Sequence, residues 1–161
     1  AAFDSDHKRL SENKWSAGVQ ALNAFSDGFP LLVVSQASLD ELNARLHAKG
    51  LAPVEMERFR PNIVLSGELD PHGEDHLESL HMDGQEGPVV LKLTKPCTRC
   101  SIPDLDPRSA QSDSRVSEVL QGYRSLPNMG GALCFGMNAV IVEGVGHTLV
   151  EGARVQATLG F

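Results

Sequence analysis

Short apolar runs predict strands in several parts of the chain. Three of them, Phe29–Ser35, Asn62–Ser66 and Pro88–Thr94, are rich in β-branched residues and end at polar or turn-forming residues, as buried strands do. Between the second and third runs, residues 70–87 are rich in Asp, Glu, His and Gly, so we interpret them as an exposed excursion. Residues 132–161 alternate again around glycines and predict further strands.

Two other segments show the helical period. Leu39–Leu46 places three leucines on one face of a predicted helix that begins at a capping box of Ser38 and Glu41 and ends at Gly50. Val116–Tyr123 repeats the same spacing. Because strands outnumber helices and no strand–helix–strand alternation runs through the chain, we expect a mainly β fold with a few helices (α+β). A mostly antiparallel β-barrel is the arrangement that such short strands favour.

The composition narrows the class of protein. A length of 161 residues fits one domain, and a net charge of −7 argues against binding to nucleic acids or anionic membranes. The longest apolar stretch, Phe29–Val34, is too short to span a bilayer. Three cysteines are too few for a disulfide scaffold, so a reducing compartment, the cytoplasm, is expected. Residues 1–25 are polar and weakly patterned, which is typical of a connector leading into a domain at 26–161.

The pair Cys97-Thr-Arg-Cys100 is the strongest chemical signal in the chain. Thiolates are ligands for zinc, copper(I), iron–sulfur clusters or a heavier thiophilic metal, but two cysteines supply only half of a tetrahedral zinc site. Pro103 follows too soon for the helix that a thioredoxin-like redox pair requires. Cys134 lies in an apolar run and is expected in the core. The spacing alone leaves a metal ligand and a structural pair open.

Other residues offer rival sites. Three histidines lie close together with two acidic residues, yet their intervals match no metal motif, and a solvated loop is the better interpretation. Arg60 can hold a phosphate or carboxylate through two prongs, and Asn62 can both donate and accept hydrogen bonds. Several cations could converge on one small anionic ligand or could be ordinary surface charges. The histidine group is His72, His76 and His81 with Glu74 and Asp75, and the cations are Arg58, Arg60, Lys92, Lys95 and Arg99.

Taken together, these segments resemble the MOSC domain, the module named after the C-terminal part of molybdenum cofactor sulfurase. The resemblance is closest to the branch of the amidoxime-reducing components and their bacterial relatives. The similarity runs from about Ser26 to the C-terminus, and it is the combination of blocks that is specific. The blocks are Phe25-Ser-Asp27 with Pro30–Asn43, Phe59–Val64, Lys95–Cys100 with Asp106-Pro107, and Phe135-Gly136 with Asn138.

The resemblance implies a site for the molybdenum cofactor (Mo-molybdopterin). It assigns the metal ligand, and hence the catalytic role, to the thiolate of the second cysteine of the motif, Cys100. A fixed thiolate can hold the metal while another position stays exchangeable. The family's N-terminal barrel has no counterpart here, so residues 1–25 would be the connector from such a region. The residues implied as contacts to the pterin and its phosphate are Arg60, Asn62, Thr98 and Arg99, with Asp27 and Asn138 as weaker candidates.

The implied activity is the two-electron reduction of small N-hydroxylated compounds. The cofactor carries the redox chemistry, and the protein positions and tunes it. Since no ferredoxin-like segment with cluster cysteines follows, the electrons would come from a separate ferredoxin- or flavin-type protein. The alternative is a non-catalytic module that carries or delivers the cofactor, or sulfur as a persulfide on Cys100. A small structural domain with a cysteine pair and no ligand is a third interpretation.

Overall fold

A computed structural model describes residues 9–10, 22–23 and 28–160 of the chain. Two α-helices and nine strands form within these residues. The elements are β1 (Arg9–Leu10), β2 (Leu22–Asn23), β3 (Leu31–Ser35), α1 (Gln36–Ala48), β4 (Ile63–Leu65), β5 (Leu77–Gly84), β6 (Gly87–Thr98), α2 (Arg115–Gln121), β7 (Ser125–Leu126), β8 (Ala132–Glu143) and β9 (Val155–Leu159).

The chain divides into two compact units. Unit 1 comprises Ala1–Leu31, His76–Lys95 and Asn138–Phe161, and unit 2 comprises Leu32–Asp75 and Pro96–Met137. Most of the predicted connector 1–25 lies outside the described residues, apart from the antiparallel pair of β1 and β2.

Unit 1 contains an antiparallel sheet in which β5 pairs with β6 on one side and with β9 on the other. Its strand β5 lies inside the segment 70–87 that we interpreted as an exposed excursion, so that interpretation is wrong. The buried face of β5 consists of Leu77, Leu80 and Met82, and a register shift between Leu77 and Ser79 interrupts the two-residue period. The exposed face carries polar residues such as His81 and Asp83, which gave the segment its loop-like composition.

Unit 2 is built on a parallel pair of strands and the helix that connects them. β3 and β4 align Val33 with Ile63. Asn62 fixes the start of this pair, because its Oδ1 accepts a hydrogen bond from the Leu32 N–H at 2.8 Å and its own N–H donates to the Leu32 carbonyl at 2.9 Å. The predicted leucine face of α1 is buried in one apolar cluster, together with residues of α2 and with Phe135.

Helix α1 begins earlier than the capping box predicted. Its N-cap is Ser35, whose hydroxyl accepts a hydrogen bond from the Ser38 N–H at 3.1 Å. The carboxylate of Glu74, which is fully buried, accepts hydrogen bonds of 2.8 Å from the hydroxyls of both serines. A carboxylate at a helix N-terminus is favoured by the helix dipole, so a residue distant in sequence decides where the helix starts. The end is as predicted, with Gly50 in the left-handed conformation just after the helix.

The mainly β class with a few helices is therefore confirmed. The strand pairs are of mixed direction, since β3 and β4 are parallel and the pairs within unit 1 are antiparallel. In neither unit do the paired strands of the described residues close into a ring, so the predicted barrel is partial.

Candidate functional site

Cys100 lies at the surface just after β6 ends. The strand carries Cys97 and Thr98, and the N–H of Arg99 extends its pairing with a hydrogen bond of 2.8 Å to the carbonyl of Leu133. Cys100 is exposed, and the chain then enters a 3-10 turn at Ile102–Asp104. We call residues 99–106 the Cys100 loop. No α-helix begins in this loop, all of which the structure describes, so the pair lacks the helix of a thioredoxin-like redox site.

Arg99 joins this loop to the segment that precedes β4. Its Nη1 donates to Cys97 Sγ at 3.3 Å, and its Nη2 donates to the carbonyl of Phe59 at 3.0 Å. The guanidinium also lies over the Phe59 ring, 5.7 Å from its centroid. Its Nε is buried and has no hydrogen-bond partner among the described residues. Two predicted site blocks, one containing Arg60 and the other containing Cys100, therefore meet through Arg99 and Phe59.

Arg60 ends a 3-10 turn formed by Met56–Phe59, and we call residues 56–60 the Arg60 turn. The residue adopts the left-handed conformation, with φ of 53°, and its side chain is exposed. Within the described part of the chain, its guanidinium makes no hydrogen bond or ion pair. Asn62 uses its Oδ1 for the Leu32 contact described above, which leaves its amide NH₂ as the group that it can offer to a ligand.

Arg58 is one of the five cations that could converge on one ligand or be ordinary surface charges, and it has partners inside unit 2. Arg58 is 3% exposed, and it donates to the carbonyl of Pro103 at 3.2 Å and to Asp106 at 3.0 Å. In unit 1, Lys92 lies 3.7 Å from a carboxylate oxygen of Glu78, and Lys95 lies over the ring of Phe29. Arg58 thus has a structural role, and sequence reasoning missed it because its partner Asp106 lies 48 residues away.

Three further candidates and the third cysteine remain to be located. Thr98 is exposed at the end of β6, next to the Cys100 loop. Asn138 lies on β8 in unit 1, where its carbonyl accepts a hydrogen bond of 3.1 Å from the Thr94 hydroxyl. Asp27 lies outside the described residues. Cys134 is buried as expected, and burial raises the pKa of its thiol.

The rival histidine site does not form. Within unit 2, Glu74 binds the serines at the start of α1 and Asp75 forms an ion pair with Arg124 at 2.7 Å. The ring of His72 packs at 5.5 Å from that of Tyr123. His76 and His81 belong to unit 1. Among the residues that the structure describes, no three His, Cys, Asp or Glu side chains are grouped so that they could hold a metal ion.

His72 makes the stability depend on pH. Burial, reinforced by the charge of Arg124, lowers the pKa of this histidine from 6.5 to about 4. The folded protein thus favours the neutral ring, so its contribution to the free energy of unfolding is present above pH 6.5 and is lost as pH falls towards 4. We expect His72→Asn to flatten the decline in unfolding free energy between these pH values, measured by urea denaturation. Asparagine tolerates the positive φ of this position. An equally steep decline in the variant would contradict this assignment.

The sequence profile of the MOSC domain matches residues 21–156, which include the Arg60 turn and the Cys100 loop. The chain belongs to the MOSC domain family. The match also covers both units from β2 onwards, and it starts within the segment that we predicted as a connector.

Relatives of this MOSC domain include two kinds of named protein. It is 40% identical over 102 residues to mitochondrial amidoxime-reducing component 1 of Mus musculus, covering 63% of this chain and 27% of that protein. Over the same length it is 36% identical to mitochondrial amidoxime reducing component 2 of Homo sapiens, covering 28% of that protein. It is 32% identical over 136 residues to molybdenum cofactor sulfurase of Oryza sativa subsp. japonica, covering 80% of this chain and 16% of that protein.

The match thus spans about a quarter of the length of the amidoxime-reducing relatives. None of the helices in the described residues is both long and apolar enough to cross a membrane.

Proposed function

We propose that this MOSC domain binds the molybdenum cofactor through the thiolate of Cys100, as the cofactor-binding part of an oxidoreductase that reduces small N-hydroxylated compounds. The observation that carries the proposal is the hydrogen bond from Arg99 to the Phe59 carbonyl. It joins the residue before Cys100 to the residue before Arg60, and so brings a soft thiol and an arginine into one neighbourhood. The names of the relatives, which include amidoxime-reducing components and molybdenum cofactor sulfurase, agree with this chemistry.

The residues present fit such a group. Molybdenum prefers a soft sulfur ligand, and Cys100 supplies an exposed one. The pterin ends in a phosphate, for which the exposed guanidinium of Arg60 is a two-pronged donor. The buried Nε of Arg99, with no partner among the described residues, is a further donor whose burial is otherwise a cost. Thr98 adds a hydroxyl, and Asn62 adds an amide NH₂.

Each residue has a separate task in this proposal. Cys100 ligates the metal through its thiolate, and Arg60 with Thr98 and Asn62 binds the polar parts of the pterin. When bound, the cofactor supplies the two-electron redox chemistry. Ile102 and Leu105, which are 39% and 43% exposed in the Cys100 loop, provide apolar surface for the carbon skeleton of a substrate. The proposed electron source is a separate ferredoxin- or flavin-type protein. Asn138 and Asp27 remain predicted contacts, and the cytoplasmic location also stays a prediction.

Metal analysis tests this proposal. The parent chain, Cys100→Ala and Cys97→Ala are produced in a host that makes the cofactor, and molybdenum per protein is measured by mass spectrometry. We expect the molybdenum content of Cys100→Ala to be lower than that of the parent by at least about tenfold. Even residues that only hydrogen-bond to a metal ligand contribute about tenfold to metal affinity, and the ligand itself should contribute more. Cys97→Ala should retain most of it, because that thiol faces Arg99. Equal molybdenum in Cys100→Ala and the parent would refute the proposal.

A second candidate function is that of a carrier module, and the match to molybdenum cofactor sulfurase over 80% of this chain favours it. In this case Cys100 would receive sulfur from a sulfane-sulfur donor and hold it as a persulfide. Reduction of a model amidoxime by the molybdenum-loaded protein with a chemical electron donor supports the oxidoreductase. Metal retention without turnover, together with a persulfide detected on Cys100 by mass spectrometry, supports the carrier.

A further inference from the structure

We infer that Arg58 and Arg99 are a pair of positioning residues that tie the Arg60 turn to the Cys100 loop from opposite directions. The inference rests on the proposed function, because these two segments carry Arg60 and Cys100. Each guanidinium donates a hydrogen bond to a backbone carbonyl of the opposite segment. This role is separate from the contact with a ligand that the Nε of Arg99 can make.

The first tie runs from the loop to the turn. Arg99 lies beside Cys100, and its Nη2 reaches the carbonyl of Phe59, which is fully buried and precedes Arg60. The Phe59 ring stacks on Phe135 with centroids 4.0 Å apart, so the acceptor is itself held by the core. The other prong of the same guanidinium contacts Cys97 Sγ. Arg99 therefore fixes the position from which the chain leaves β6 towards Cys100.

The second tie runs from the turn to the loop. Arg58 precedes Phe59, and its Nη1 donates to the carbonyl of Pro103 while its Nη2 donates to Asp106 Oδ2. Asp106 Oδ1 in turn accepts hydrogen bonds from the N–H groups of Arg108 and Ser109, both at 2.9 Å. These backbone contacts lower the pKa of Asp106 further than its pairing with Arg58 does. Arg58 therefore fixes the far end of the Cys100 loop.

An open pocket of about 210 Å³ lies beside this end of the loop, and its lining includes Val54, Glu55, Pro107 and Arg108 together with Arg58 and Asp106. Because the pocket is open to solvent, side chains that only line it do not join the two segments there, whereas the ion pair of Arg58 with Asp106 does. The planar guanidinium can bind two acceptors at fixed angles, which the point charge of a lysine cannot do.

Hydrogen–deuterium exchange of the full chain tests this inference. The amides of Asp104 and Leu105 donate to the carbonyls of Ser101 and Ile102 within the loop, and the amide of Asp106 donates to the carbonyl of Gln111 beyond it. The exchange of these three amides therefore reports on opening of the loop. Arg99→Lys keeps the positive charge but cannot contact both Cys97 Sγ and the carbonyl of Phe59 as the guanidinium does. Asp106→Asn keeps the Oδ1 that accepts hydrogen bonds from the N–H groups of Arg108 and Ser109, but it replaces the oxygen that accepts from Arg58. It also avoids deleting a buried arginine. We expect each variant to accelerate exchange of these amides by on the order of tenfold.

Arg108→Gln is the matched control. Arg108, two residues beyond the Cys100 loop, also pairs with the Arg60 turn, through Glu57 at 3.8 Å. Both side chains are exposed, so the loss of this pair should leave loop exchange unchanged. Two results would overturn the inference. One is unchanged loop exchange in Arg99→Lys and Asp106→Asn, and the other is acceleration spread evenly over α1 and α2, which would indicate general destabilisation.

The alkylation rate of Cys97 by iodoacetamide, located by peptide mass spectrometry, gives a readout that does not require the metal. Cys97 is half-buried and its Sγ accepts a hydrogen bond from Arg99, so a loosened segment should let it react several-fold faster in Arg99→Lys, and an unchanged rate would count against positioning. The outcomes also separate the two proposals. Faster loop exchange with the same molybdenum in the parent and Cys100→Ala rejects the proposed function and retains the ties. Molybdenum lost in Cys100→Ala with unchanged loop exchange in Arg99→Lys and Asp106→Asn does the reverse.

Discussion

Replacing Gly136 with alanine is expected to reduce the free energy of unfolding by about 3 kcal/mol. Gly136 lies on β8 with φ of 76°, a conformation that costs an L side chain about 1–2 kcal/mol. An added Cβ would lie 2.6 Å from Val34 Cγ2 and 2.7 Å from the carbonyl oxygen of Val33. Both valines are fully buried on β3, so the strand backbone itself must move to accept the methyl group.

Thermal denaturation of the parent protein and of Gly136→Ala measures this loss of stability. For a chain of this size, a loss of about 3 kcal/mol lowers Tm by about 10 °C. Gly130→Ala is the matched control, because Gly130 has a similar φ of 67° but nothing within 4 Å of an added Cβ. The control should show the conformational cost alone. An equal loss of stability in both variants would show that the contact with β3 contributes nothing.

Replacing Arg124 with methionine is expected to cost about 3–5 kcal/mol, because it leaves one partner of a buried ion pair behind. Arg124 Nη2 lies 2.7 Å from Asp75 Oδ2, and the two side chains are 7% and 14% exposed. Its Nε also donates to the carbonyl of Cys134 at 3.0 Å. Arg124 therefore joins the segment after β4, through Asp75, to the start of β8, through Cys134. The substitution removes both contacts.

Urea denaturation at pH 7 measures this loss, and Arg108→Met provides its control. The pair of Arg108 with Glu57 has a separation of 3.8 Å and side chains that are 74% and 62% exposed, so its removal should change stability by less than about 1 kcal/mol. The double variant with Asp75→Asn should recover part of the loss, since the carboxylate charge is then absent. No recovery would mean that the hydrogen bond to Cys134, rather than the ion pair, dominates.

The elements that the sequence predicted well are those whose buried face is apolar. The run Leu31–Ser35 and the leucines of α1 are set by local spacing, and the structure has both. Strand β5 was missed because its exposed face is polar and a register shift breaks its alternation. The start of α1 was misplaced because Glu74, which binds Ser35 and Ser38, reaches the helix from 36 residues away at the nearer serine.

The site was predictable in part. Two of the four blocks that carried the resemblance to the MOSC domain include residues of the Arg60 turn and the Cys100 loop, which are neighbours, and family membership is confirmed. The separate roles of Arg58 and Arg60 were not predictable, because both are cations two residues apart. One faces solvent, and the other is buried by a partner whose position only the folded chain determines. Metal and pterin binding by named residues remains a prediction.

The two hydrogen bonds between Asn62 and Leu32 have a consequence for the order in which the chain folds. Its hydrogen bonds close a stretch of 30 residues that contains α1, and parallel strands cannot begin to pair through a tight hairpin. Formation of α1 shortens the stretch that has to close, and its contacts are local, so refolding should gain helical signal before the β3–β4 register is set. The side-chain oxygen of Asn62 accepts a hydrogen bond as a strand carbonyl would, at the point where β3 and β4 begin to pair. This additional hydrogen bond favours the correct register over a shifted one.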